Sequence, residues 1–125
     1  MSFEWLEYLS LAQELTQSKR GVASREAKLR SAVSRAYYAA FIKARNHLRD
    51  EEGYNIPDVQ DAHYLVRAKF FRSSDHIRRR IGQHLHRLRT YRNQADYNDV
   101  FPGLPSIART CLKLAQEVIA DLDQL

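Results

Sequence analysis

Residues 25–50, REAKLRSAVSRAYYAAFIKARNHLRD, decide the fold. Leu29, Val33, Ala36, Tyr37, Ala40, Phe41, Ala44 and Leu48 return at intervals of three and four, which predicts one helix from about Arg25 to Asp50. Ser24 stands where an N-cap is wanted, and the alanines between the aromatics let a neighbouring helix come close. Working outward, a first helix is expected over Phe3–Gln17, with Trp5, Leu6, Leu9, Ala12 and Leu15 inward. A third spans about Val59–Phe71 with Ala62, Leu65, Val66 and Phe70 inward. A fourth starts after Ser74 or Asp75 and runs to about Tyr97. A fifth starts near Ser106 and turns Ile107, Cys111, Leu114, Val118 and Leu122 inward. The four Gly and three Pro are expected where helices break, among them Gly21, Gly53, Pro57, Pro102, Gly103 and Pro105. No segment alternates with period two. The reading is all-α: an antiparallel up-and-down bundle of four to five helices, as a single domain over residues 1–125.

A chain of 125 residues buries enough surface for a core without staples. The hydrophobic share of 44% is that of an ordinary globular protein rather than a disordered one. One cysteine, Cys111, rules out an internal disulfide and fits a reducing compartment. The start of the chain carries Glu4, Glu7 and Glu14 instead of a basic, apolar leader, and no apolar run is long enough to span a bilayer. The expected location is cytoplasmic, with no membrane partner. A net charge of +5 favours a polyanionic partner, with nucleic acid the usual one.

The charge concentrates on the fourth helix, which carries Arg78, Arg79, Arg80, Arg87, Arg89 and Arg92 together with His84 and His86. Its apolar stripe is Ile77, Ile81, Leu85, Leu88 and Ala95. At about 100° per residue, Arg78, Arg89, Arg92 and Asp96 project beside that stripe, whereas Arg80 and Arg87 point nearly the opposite way, into solvent. An arginine at the edge of a core needs an anion, and Asp96 stands four residues from Arg92. Taken alone, that spacing reads as an ordinary helix ion pair.

Two stretches add to this reading: Ser34-Arg-Ala-Tyr-Tyr-Ala-Ala-Phe41 and Arg89-Thr-Tyr-Arg-Asn-Gln-Ala-Asp-Tyr97. Together, in this order and separation, they resemble the HEPN superfamily of small helical bundles, and most of all its prokaryotic branch with an R-A-Y-Y-A-x-F helix and a later R-N-x-A-D-Y signature. The resemblance implies a homodimer whose fourth helices face each other across a cleft. It implies a prokaryotic toxin–antitoxin or defence setting, and often a minimal nucleotidyltransferase antitoxin as partner. Many members are metal-independent ribonucleases with an Arg, four to six residues, then a His. Here Arg92 matches the Arg and Asn93 the polar residue after it, but Tyr97 stands at the earliest position open to the His. The implied site is Arg92, Asn93, Asp96 and Tyr97, with Arg78, Arg89 and Arg35 as nucleic-acid contacts and with no cofactor or metal.

RNA cleavage without a metal needs a base for the 2′-hydroxyl, an acid for the leaving 5′-oxygen and donors for the phosphate. The fork of Arg92 suits the third role and Asn93 can orient the phosphate. Tyr97, with an ordinary pKa near 10, is a phenolate about once in a thousand at pH 7, so it is a poor base and a good hydrogen-bond donor. His84 and His86 lie before Arg92 and point away from it; as a His-x-His pair on a helix they diverge by about 200°, which is no metal site. His76 is near the helix start, and where His63 falls relative to Arg92 is not encoded locally. Tyr37, Tyr38 and Phe41 read as packing rather than a stacking platform, and Cys111 as a buried packing residue. Two functions are expected in turn: a homodimer acting on RNA through a ribonuclease-like site that lacks its usual base, or a non-catalytic dimerising module that docks a nucleotidyltransferase. Whether Tyr97 is modified by such a partner is left open.

Overall fold

The computed structural model describes residues 2–57 and 62–125 of the chain, in five α-helices: α1 Leu6–Gln17, α2 Arg25–Asn46, α3 Ala62–Phe71, α4 His76–Tyr97 and α5 Leu104–Leu122. There is no strand among the described residues. Helix α2 is the spine, packed against α1, α4 and α5, and α4 is packed in turn against α3 and α5. Its face from Leu29 to Leu48 is buried as the periodicity predicts, with Tyr37 and Val33 among the side chains fully enclosed. Cys111 is enclosed too, and burial pushes its thiol up to about 12, so it acts as an apolar filler.

Local chemistry explains most of the helix ends. Ser24 Oγ accepts from the Ala27 amide at 3.0 Å and Asp75 Oδ2 from the Arg78 amide at 3.0 Å, which selects Asp75 over Ser74 as the cap of α4. α1 starts at Leu6 rather than Phe3. α2 gives way after Asn46 to a π-helical turn, His47–Glu51, instead of continuing to Asp50. α5 begins two residues before Ser106, because Gly103 takes φ +72° and Pro105, which needs no N–H partner in a first turn, extends the helix backwards. The expected start of the third helix at Val59 lies outside the described residues.

Three expectations are corrected. Leu6 is exposed and Leu65 only half-buried. Gly82 breaks no helix: it sits in mid-α4, where a Cβ would lie 2.6 Å from the Phe71 backbone nitrogen, so its role is close approach to α3. And Arg80, although exposed as expected, is not a lone charge. Its guanidinium grips the buried Asp121 carboxylate of α5 with Nε at 2.9 Å and Nη2 at 2.7 Å. The helical projection was right about the direction, but α5 passes on that side.

One pin had no signal in the sequence. Arg30 of α2 donates from Nη1 to the carbonyls of Ala95 (3.0 Å) and Asn98 (2.6 Å), and from Nη2 to that of Asp99 (3.1 Å). Ala95 lies in the last turn of α4, whose carbonyls lack helical partners, and Asn98 and Asp99 follow the helix, so Arg30 ties down the turn bearing Asp96 and Tyr97. Arg30→Ala is expected to lower stability by about 1–3 kcal/mol in urea denaturation. It is also expected to speed amide hydrogen exchange at the end of α4 before the rest of the bundle.

Candidate functional site

The last two turns of α4 face a short arc of α2. The Arg92 guanidinium lies 5.2 Å from the Tyr38 ring centroid and 5.6 Å from that of Tyr97. Nη1 donates to Asn93 Oδ1 at 3.0 Å, and Nε is 2.9 Å from Asp96 Oδ2. That last contact is an ion pair without hydrogen-bond alignment: the Nε–H, although buried, has no acceptor. The side chain of Arg92 is only 16% exposed, so its ion pair with Asp96 sits in a largely desolvated setting. Asp96 Oδ2 also accepts from Ser34 Oγ at 3.4 Å, and Arg35 Nη2 reaches that hydroxyl at 3.4 Å. Arg35 stacks over Tyr8 (4.7 Å) and Tyr38 (5.1 Å), so Tyr38 carries both arginines. A cleft of about 320 Å³ opens here, lined by Arg35, Tyr38, Arg92 and Asp96 with Trp5 and Tyr8 of the N-terminal segment.

The structure thus brings Arg92, Asn93, Asp96, Tyr97 and Arg35 together. Tyr97 is 72% exposed at the rim. Arg89 lies about one turn back along α4. Arg78 does not join them. It projects from the same side but about 21 Å further up the helix axis. Its fork is spent on Glu52 of the π-turn at 2.7 and 3.1 Å, over the face of Phe70. This grip, helped by His47, holds the Glu52 carboxyl below its ordinary range. Tyr8, Tyr38 and Ser34 were not read as site residues. Ser34 and Tyr38 belong to the quoted α2 motif, which was a signal, whereas for Tyr8 the sequence holds none.

The histidines are now placed. His84 Nδ1 is 3.6 Å from Glu117 of α5, His86 Nδ1 accepts from Arg67 Nη1 at 2.6 Å, and His47 pairs with Glu52. His63 is the one that comes near the basic turn. It stacks on Phe41 at 4.3 Å, and its Nδ1 meets the Tyr37 hydroxyl at 2.5 Å. Burial first, then the positive charges of Arg89 and Arg92, lower its pKa to about 4. Near neutral pH it is therefore a neutral imidazole, anchored to a tyrosine whose own ionisation burial suppresses. The sign of the linkage is clear: the unfolded chain takes up the proton near 6.5 and the folded one only near 4, so stability falls as pH drops through that window and is level above it. Urea midpoints at pH 7 and pH 5 are expected to differ in that direction, and His63→Gln, which keeps an acceptor for Tyr37, is expected to shrink the gap.

Among the described residues no group of three or more His, Cys, Asp or Glu is placed to hold a metal ion, and no helix is long and apolar enough to cross a membrane. The fold and the cleft define a helical bundle with an arginine-centred polar site between its second and fourth helices. The chain belongs to the HEPN family, whose profile matches residues 7–125. It is also similar to a Methanocaldococcus jannaschii protein described as "uncharacterized protein MJ0628", with 30% identity over 107 residues, covering 76% of this chain. The chain spans 63% of the length of that relative. No solved structure matches it.

Proposed function

We propose that this HEPN-domain chain is a homodimer that acts on RNA, with the cleft around Arg92 as its phosphate site. The observation that carries the reading is the Arg92 guanidinium, held between Tyr38 and Tyr97, tethered by Asn93 and Asp96, and only 16% exposed beside an open cleft. Such a fork neutralises charge on a phosphate that loses one ester oxygen and gains another. In the metal-free reaction the RNA 2′-oxygen attacks phosphorus, the 5′-oxygen leaves, and one proton is taken up while another is delivered. Arg92 stabilises the equatorial oxygens and Asn93 orients them. Tyr97, exposed at the rim, serves as a hydrogen-bond donor to the phosphate. Asp96 holds Arg92. A second subunit would add its own Arg92 across the cleft. The setting that fits is a cytoplasmic, toxin-like component of a prokaryotic two-gene or defence module.

The test is purified chain incubated with total RNA and tRNA in EDTA, beside an Arg92→Ala variant. Fragments made by the wild type and not by the variant support the proposal; RNA left equally intact by both ends it.

A second reading rests on a different observation. Tyr97 and Val100 are both largely exposed at the end of α4, which suits docking of a minimal nucleotidyltransferase or modification of the tyrosine by it. There the Arg92–Asp96 pair serves assembly. Asp96→Ala would then weaken the dimer or the partner complex in size-exclusion chromatography, and an unchanged profile counts against it.

A further inference from the structure

Charge is unevenly spread along this chain. Residues 62–95, which make α3 and nearly all of α4, carry nine Lys and Arg and one carboxylate, Asp75. The other residues carry eleven and fourteen, so the rest of the molecule is net acidic. Three of the nine, Arg78, Arg80 and Arg92, are paired with Glu52, Asp121 and Asp96. The remainder lie largely on the outer side of α3 and its seam with α4.

Large aromatic side chains stand in the open on that same surface. Tyr64 is 46% and Phe71 50% exposed, seven residues apart and so on one face of α3. Arg67 lies between them, with its guanidinium 5.4 Å from the Tyr64 centroid and its Nη1 on His86 of α4. Arg72 donates to the Tyr64 hydroxyl at 2.7 Å, and Lys69 Nζ sits 4.2 Å from the Tyr54 centroid. A hollow of about 500 Å³ is bounded by Arg67, Phe71, Gln83, His86 and Arg87. An apolar docking face would not set two guanidinium groups against Tyr64 and line the hollow beside Phe71 with Arg67 and Arg87, and a purely electrostatic one would not expose the rings.

The seam also leads somewhere. Phe71 packs over Gly82, Arg67 over His86, and His63 lies in the field of Arg89 and Arg92. Each step down α3 is a step of about one turn along α4, toward the cleft.

We infer that the α3–α4 seam is a binding track for single-stranded RNA, in which Tyr64 and Phe71 stack bases, Arg67 and Arg72 hold phosphates, and the strand is delivered to Arg92. The choice of single strands follows from chemistry: every base has a face to stack on an exposed ring, and duplex RNA hides those faces. The inference rests on the proposal that the chain acts on RNA.

The test is fluorescence anisotropy with a labelled oligouridylate in EDTA. The chain carries Arg92→Ala so that nothing is cut, and far-UV circular dichroism checks each variant. Tyr64→Ser with Phe71→Ser is expected to weaken binding by about 10- to 100-fold, and Tyr64→Phe, which keeps the ring, to leave it within about twofold. Arg67→Ala is expected to weaken binding and lower the slope of log K against log salt by about one, whereas Arg109→Ala, on the exposed side of α5, changes neither. Binding that none of the α3 variants alters overturns the track while leaving the RNA proposal standing. Absence of RNA binding even at low salt overturns both. Equal binding of duplex RNA, or of a polyglutamate peptide with the same dependence on Tyr64 and Phe71, also overturns the track, the second by making the surface an acidic-peptide site.

Discussion

Arg92→Lys is expected to slow RNA cleavage by about 100- to 1000-fold at saturating RNA, although the charge is kept. The reason is shape. The guanidinium of Arg92 fills the space between Tyr38 and Tyr97, with Nη1 on Asn93 and Nε beside the Asp96 carboxylate. A planar fork can stack on a ring and present parallel N–H groups to two phosphate oxygens at once. An ammonium does neither well and is more strongly hydrated. Since the fork acts mainly where charge builds up in the reaction, the loss should appear in the turnover rate more than in RNA affinity, which the wider basic surface sustains. The measurement is single-turnover cleavage of a labelled RNA with the lysine variant, next to its binding constant. A rate within a few-fold of wild type would show that a positive charge alone suffices and that the fork geometry is incidental.

Gly82→Ala is expected to destabilise the bundle by about 2 kcal/mol. This holds even though alanine is the better helix former by about 1 kcal/mol. An added Cβ would stand 2.6 Å from the Phe71 amide nitrogen and 2.8 Å from its Cα and Cβ. Two of those atoms are backbone, so no rotamer change relieves the clash and α3 must move off α4 as a unit. Overpacking of this kind costs about 1–3 kcal/mol and sometimes more. The net loss should appear in a thermal melt as a drop of about 5–10 °C. The same shift displaces Phe71 and Arg67, so affinity for single-stranded RNA should drop with it. An unchanged or raised melting temperature would mean that α3 slides on α4 freely.

Much of this architecture can be read along the chain. The core face of α2, the caps Ser24 and Asp75 and the burial of Cys111 each depend on residues within a few positions of one another, and periodicity and capping report such neighbourhoods well. Asp96 beside Arg92 is equally local. The failures share a different character. Arg80 is exposed as its direction on α4 predicts, but its pairing with Asp121 depends on the passage of α5 on that side, which no local spacing encodes. Gly82 was read with the chain breakers, since the close approach of Phe71 leaves no trace in its neighbours. Arg78 shares a side of α4 with Arg92 but stands at another height, where Glu52 takes it.

The sequence alone therefore determined the helices and most of their inward faces, which are written in spacings of three, four and seven residues, and it carries the two motifs on which the resemblance to the HEPN family rests. Only the tertiary structure decided which charges meet. Ser34 reaches Asp96, Arg30 reaches the end of α4, and Tyr37 meets His63 across intervals of 62, 65 to 69 and 26 residues. Those meetings depend on how far each helix is rotated and slid against its neighbour. A helix period leaves both quantities free, and close packing of the assembled core fixes them.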